Sequence, residues 1–166
     1  MKSRYGAGMA DTQEPGCGSD ERMRTFGLLL EAHQRLTRVL DADLQRTDGI
    51  SLQTFEVLLR ISRSPERRLT MSELAGQVAL SAGGVTRLAD RLEQDGLVAR
   101  QACPSDRRRM HLVLTDDGDR VLGSAIEHHS VALDEHLCSR VDPADLIVVD
   151  RVLDTLRRPA AAAATT

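Results

Sequence analysis

From about residue 21 onward, apolar residues recur at three- and four-residue intervals, and only one stretch breaks that rhythm. Phe26, Leu29, Leu30, His33, Leu36, Leu40 and Leu44 fall on one face of a helix predicted over 21–46, which Asp48-Gly49 stops. Ser51 caps a second helix carrying Leu52, Phe55, Leu58 and Leu59, which ends before Ser64-Pro65. Thr70-Met71-Ser72-Glu73 has the spacing of a capping box, in which threonine and glutamate side chains bond each other's backbone amides. It opens a short third helix with Leu74, Ala75 and Val78. Ser81 caps a fourth helix with Val85, Leu88, Ala89 and Leu92, closed by Asp95-Gly96. The period then changes: 97–101 and 110–114 read as short strands joined by a polar loop. Thr115 starts a long fifth helix with Leu122, Ile126, His129, Leu133 and Leu137 on its apolar face, and Asp116 and Asp117 suit its first turn. Asp142-Pro143 opens a last helix using Leu146, Val149, Val152, Leu153 and Leu156.

Four helices, a hairpin and two more helices make the chain mainly α with a small β wing. The short third helix and the capped fourth form a helix-turn-helix, with Ala75, Ala79 and Val85 at the small, turn and buried-branched positions such units need. The resulting winged helix-turn-helix has 21–48 and 115–158 as dimerisation helices around a lobe at 51–114. Residues 1–20 read as a disordered arm and 159–166 as a disordered low-complexity tail. The apolar stripes of the first and last two helices exceed what so small a lobe can cover, so pooling them across a two-fold axis predicts a homodimer. An intramolecular bundle is the other way to bury them.

Composition sharpens this picture by exclusion. The 166 residues suit one compact domain, with 41% hydrophobic and 28% charged residues. Two Phe, one Tyr and no Trp leave almost nothing on which single-stranded bases could stack. The net charge of −3 is unusual for a nucleic-acid binder, so any such surface must be a local patch. Of the 22 basic residues only Lys2 is lysine; arginine suits bidentate contacts, although a GC-rich coding sequence is the readier explanation of the bias. Cys17, Cys103 and Cys138 are odd in number and scattered, which suits free thiols. No run is apolar enough to span a membrane and no signal-peptide pattern opens the chain, so a cytoplasmic location is expected.

Removing the buried positions of the fourth helix leaves Ser81, Ala82, Gly83, Gly84, Thr86, Arg87 and Arg91 as the face for a major groove. Gly83 and Gly84 weaken a helix by about 1 kcal/mol each, which suits either close backbone approach to DNA or a surface turn under no constraint. Between Leu97 and His111 stand Arg100, Arg107, Arg108 and Arg109 against the single acid Asp106. Positive charge concentrated on a loop suits phosphates or a narrow minor groove. Thr70, at the start of the third helix, completes the candidate DNA-binding set.

The run Ser81-Ala82-Gly83-Gly84-Val85-Thr86-Arg87-Leu88-Ala89-Asp90-Arg91-Leu92, continuing through Asp95-Gly96-Leu97-Val98, resembles the recognition helix and wing entry of the MarR (multiple antibiotic resistance) regulators. Pro104-Ser105-Asp106-Arg107-Arg108-Arg109 and Leu114-Thr115-Asp116-Asp117-Gly118 resemble that family's wing signature. The likeness extends over about 22–158. It implies an intertwined triangular homodimer that binds double-stranded, pseudo-palindromic operators, usually as a repressor. It further implies that Asp106 braces the wing, that Arg108 enters the minor groove and that Ser81, Thr86 and Arg87 meet the major-groove side. Many members release DNA when a small, often phenolic, effector enters a cleft; His33 and Phe55 are the candidate cleft residues here. Two departures stand out. Ala79 replaces the usual turn glycine, and Cys17 lies ahead of the helix that carries the reactive cysteine in peroxide-sensing members.

Other classes have thinner support. His128, His129 and His136, with Glu127 and Glu135, lie on the fifth helix, but a chelating pair usually sits four apart. Metal sensing, or a dimeric interaction protein without a small-molecule cleft, therefore remains the alternative, and no cofactor is expected. An enzyme is not expected either: phosphate-loop, nucleophile-elbow and His-Glu-x-x-His motifs are absent, and a helix N-terminus accounts for Asp116-Asp117.

Overall fold

The computed structural model describes residues 19–78, 82–103 and 109–158. Its helices are α1 (Ser19–Thr47), α2 (Leu52–Arg63), α3 (Met71–Gln77), α4 (Ala82–Gln94), α5 (Asp116–His136) and α6 (Pro143–Arg157); its strands are β1 (Arg68–Thr70), β2 (Val98–Ala102) and β3 (Met110–Leu114). The expected mainly α fold with a small wing is the one observed. The expected arm and tail, Ser81, Ala79 and most of the arginine loop lie outside the described residues.

The chain divides into two compact units, Met1–Arg35 and Leu36–Thr166. The first contributes the N-terminal part of α1, where Met23, Phe26, Leu28, Leu29 and Leu30 are exposed. The second holds the core. Val57, Leu58 and Ile61 of α2, Leu74 of α3, Val85, Leu88, Ala89 and Leu92 of α4, Leu112 of β3 and Leu122 and Ala125 of α5 pack together with almost no exposure. On α4 these positions repeat at i, i+3, i+4 and i+7, the spacing of one buried stripe.

The sheet has the order β1-β3-β2 and is antiparallel throughout. The hairpin of β2 and β3 matches the sequence expectation, but β1 has no counterpart there. Three residues are too few to show a period, and this strand exists only because Leu69 finds Leu112 across the ladder.

Side-chain caps fall where the sequence puts them. Ser51 accepts from the Thr54 amide, Thr115 from the Gly118 amide and Asp142 from the Ala144 amide. Gly49 and Gly96 have φ of 68° and 71°, conformations that favour glycine, where α1 and α4 stop. At the end of α4 the Gly96 amide donates to Glu93 and the Leu97 amide to Leu92, the paired bonds of a Schellman motif.

The start of α5 docks onto that turn. The Thr115 amide donates to the Leu97 carbonyl at 3.2 Å, and the Thr115 hydroxyl donates to the Gly96 carbonyl at 2.6 Å. A Cβ on Gly118 would stand 2.0 Å from the Leu97 oxygen, so α5 can approach only because residue 118 lacks a side chain. The C-terminal end of α1 is tied to α5 by two histidine–aspartate pairs. His128 Nδ1 lies 3.0 Å from Asp48, which also accepts from Ser124 and Thr47, and His136 Nε2 lies 3.0 Å from Asp43. Burial pushes the Asp48 carboxyl up, but the donors from Thr47, Ser124 and His128 outweigh it and hold the group below the usual carboxylate range. Gly118→Ala should therefore lower stability by about 1–3 kcal/mol in urea unfolding, because the new methyl meets backbone that no rotamer change can clear. Wild-type stability in that variant would show that the α5 junction is looser than described.

Candidate nucleic-acid interface

One flank of α4 is buried, and the opposite one carries the candidate residues. Gly83, Thr86 and Arg87 are exposed, as is Arg91, which makes only a loose 3.7 Å ion pair with Asp95 one turn on. Gly83 has open space around the place a Cβ would occupy, so packing within the chain does not require glycine there. Arg109 is exposed at the entry to β3, and its carbonyl accepts from the Cys103 amide. Ser81, Asp106, Arg107 and Arg108 lie outside the described residues, as does the side chain of Ala82.

Thr70 and Arg100 both have partners within the chain. Thr70 is only 7% exposed, and its hydroxyl is committed to the capping box: it accepts from the Glu73 amide at 3.2 Å and donates to the Glu73 carboxylate at 2.8 Å. In the free chain that hydroxyl opens α3. Arg100 does not belong to the loop charge. Its guanidinium meets the carboxylates of Asp90 and Glu93, each at 2.5 Å, and its amide also donates to Glu93. Asp90 first, with Glu93 adding to it, outweighs burial and raises the already high pKa of Arg100. Counting acids only between 97 and 111 missed these partners because they lie on the preceding helix.

The Thr70 backbone amide, then its hydroxyl, hold Glu73 below the usual glutamate range. A carboxylate depressed in the folded state adds stability above its unfolded pKa and loses it as pH falls through the folded value.

The cleft candidates separate. His33 is exposed on α1 within the Met1–Arg35 unit. Phe55 is 4% exposed in the core and packs at 4.6 Å, tilted by 44°, against the ring of His129. Both rings line a cleft of about 680 Å³ within the Leu36–Thr166 unit, together with Leu59, Arg60, Arg63 and Leu69. Arg60 Nε and His129 Nδ1 are buried there without hydrogen-bond partners. Burial lowers the pKa of His129 and favours the neutral ring. The hydrogen-bonded histidines of α5 are His128 and His136. Among the described residues no group of three or more His, Cys, Asp or Glu side chains could hold a metal ion, and no helix is long and apolar enough to cross a membrane.

A short helix paired with a helix whose outer face is polar, followed by a two-stranded hairpin over a shared core, defines a winged helix-turn-helix protein. The MarR family model matches residues 50–110. The HTH-type transcriptional repressor MdtR of Bacillus subtilis is 47% identical over 101 residues, covering 61% of this chain and 64% of that protein. Rv2011c of Mycobacterium tuberculosis, an uncharacterized protein, is 35% identical over 140 residues, covering 84% of this chain and 92% of that one. The crystal structure of Sco3205, a MarR family transcriptional regulator from Streptomyces coelicolor in complex with DNA, superposes with a TM-score of 0.77 at 29% identity, covering 86% and 94% of the two chains. The chain thus carries a MarR family domain over residues 50–110 and is similar in fold along most of its length to a MarR family transcriptional regulator.

Thr70→Ala should cost about 0.5–2 kcal/mol, with Thr70→Ser close to wild type. The stability gap between wild type and Glu73→Gln should narrow as pH is lowered from neutral into the acid range. A gap that stays constant with pH would deny Glu73 its role at the cap.

Proposed function

We propose that this protein is a dimeric repressor that binds a pseudo-palindromic operator and releases it on taking up a small ligand. The observation that carries the DNA-binding part is the division of α4, with Val85, Leu88, Ala89 and Leu92 buried and Gly83, Thr86, Arg87 and Arg91 facing solvent beside the hairpin. In this reading Ser81, Ala82, Gly83, Gly84, Thr86, Arg87 and Arg91 approach the major groove. Arg107, Arg108 and Arg109 meet phosphates or the minor groove, and Asp106 braces their loop. The repressor assignment follows the names of MdtR and of MprA from Escherichia coli, a transcriptional repressor 32% identical over 77 residues.

Exposed apolar surface supports the dimer. α6 buries none of its residues, and Ile147, Val148, Val149, Val152, Leu153 and Leu156 are all exposed on it, as are the apolar residues of the first part of α1. Surface of that kind marks association sites. Purified protein should have twice its 18.2 kDa chain mass by light scattering. It should also bind a genomic fragment selected by the protein itself with an affinity that falls steeply with salt. Arg108→Ala should weaken that binding by about 1–3 kcal/mol. Absence of salt-sensitive affinity for every duplex offered would overturn the DNA reading, and a monomer mass the dimer.

The cleft beside Phe55 supports ligand control. A buried donor left unpaired costs about 1–3 kcal/mol, so a ligand that brings an acceptor to Arg60 Nε or a polar group to His129 Nδ1 gains what the free protein forgoes. Apolar walls and an arginine suit a hydroxylated aromatic acid, the phenolic class expected from the family. The DNA binding of BpsR of Bordetella bronchiseptica, a protein of similar fold, is regulated by 6-hydroxynicotinic acid. That compound is a suitable first probe: it should raise the thermal midpoint of wild type but not of Arg60→Gln. Equal shifts in both would place the ligand elsewhere.

A further inference from the structure

Arg100 sits on the inward side of its strand. It pairs with Leu112, and by the two-residue repeat of a strand it shares a face with Val98, 2% exposed. Only 25% of its side chain is accessible, and the guanidinium emerges at one edge of α4. There its two terminal nitrogens separate, Nη2 to Asp90 and Nη1 to Glu93. Thr86, Asp90 and Glu93 follow one another at four- and three-residue steps, so they form a single row along that edge. The hairpin is thus clipped to the row that begins with one of the proposed DNA-contacting residues.

We propose that Arg100 is a positioning residue for DNA binding, which fixes the hairpin against α4 through Asp90 and Glu93 and does not itself contact DNA. The inference rests on the reading that α4 and the arginine loop together face the duplex. Two contact elements bind one rigid ligand well only if their separation is set beforehand. The planar guanidinium fork can hold two carboxylates at fixed angles, which the point charge of a lysine cannot. The clip also neutralises Asp90 and Glu93, which would otherwise repel phosphates.

Asp90→Asn separates this role from ordinary electrostatics. If Arg100 were a free phosphate-binding arginine, removing an acid beside it would tighten DNA binding, and Arg100→Ala would lower the salt dependence by about one unit of slope. If Arg100 is a clip, Asp90→Asn and Arg100→Ala should each weaken binding to the selected fragment by about tenfold. The slope of log affinity against log salt should then stay at the wild-type value. The double variant should be no weaker than the worse single one, since both remove the same contact. Arg100→Lys, which preserves the charge and should keep the wild-type circular dichroism spectrum, should not restore wild-type affinity. Tighter binding by Asp90→Asn, a reduced slope in Arg100→Ala, or full rescue by lysine would each overturn the proposal. Wild-type protein that bound no duplex would overturn the underlying DNA reading instead.

Discussion

The carbonyl of Leu97 is the point on which the winged-helix lobe is assembled. It follows the turn that ends α4, precedes the first residue of β2, and receives the Thr115 amide at the start of α5. Gly118 lies so close that any side chain would overlap it. A helix, a strand and a second helix are therefore referred to one short piece of backbone. Interiors packed to crystal density transmit displacement instead of absorbing it, so the direction of α4 and that of the hairpin are set together.

An acidic chain can still carry positive charge locally. Much of the acid is engaged locally: Asp90 and Glu93 hold Arg100, Glu73 closes the α3 cap, and Asp43 and Asp48 hold His136 and His128. Net charge describes the whole protein, whereas a DNA contact responds to potential within about a Debye length. Arg87, Arg91 and Arg109 are exposed, with Arg91 only loosely paired to Asp95.

The α5 histidines divide by partner. His128 and His136 face aspartates of α1, while His129, on the adjacent face, packs against Phe55 and keeps an unpartnered nitrogen beside the cleft. One step along a helix turns a side chain by about 100°, enough to move neighbouring histidines from a polar tie to an aromatic wall. Asp43 is held below the usual carboxylate range mainly by the Arg46 hydrogen bond, with His136 adding to it, so these ties favour the ionised aspartates.

The six helices, their caps and the hairpin were legible in the sequence because each depends on contacts within a few residues. The capping box at Thr70, the Asp-Pro start of α6, the glycine stops after α1 and α4 and the buried stripe of α4 are all local features. Gly118 could be noted as part of a family signature, but its reason lay in the carbonyl of Leu97, twenty-one positions back in the chain and adjacent only after folding. The strand β1, the capture of Arg100 by α4 and the placing of Phe55 against His129 were likewise decided by tertiary structure. Periodicity reports which face of an element turns inward; which residue waits on the other side depends on how separate elements meet, and that is settled by packing across the whole core.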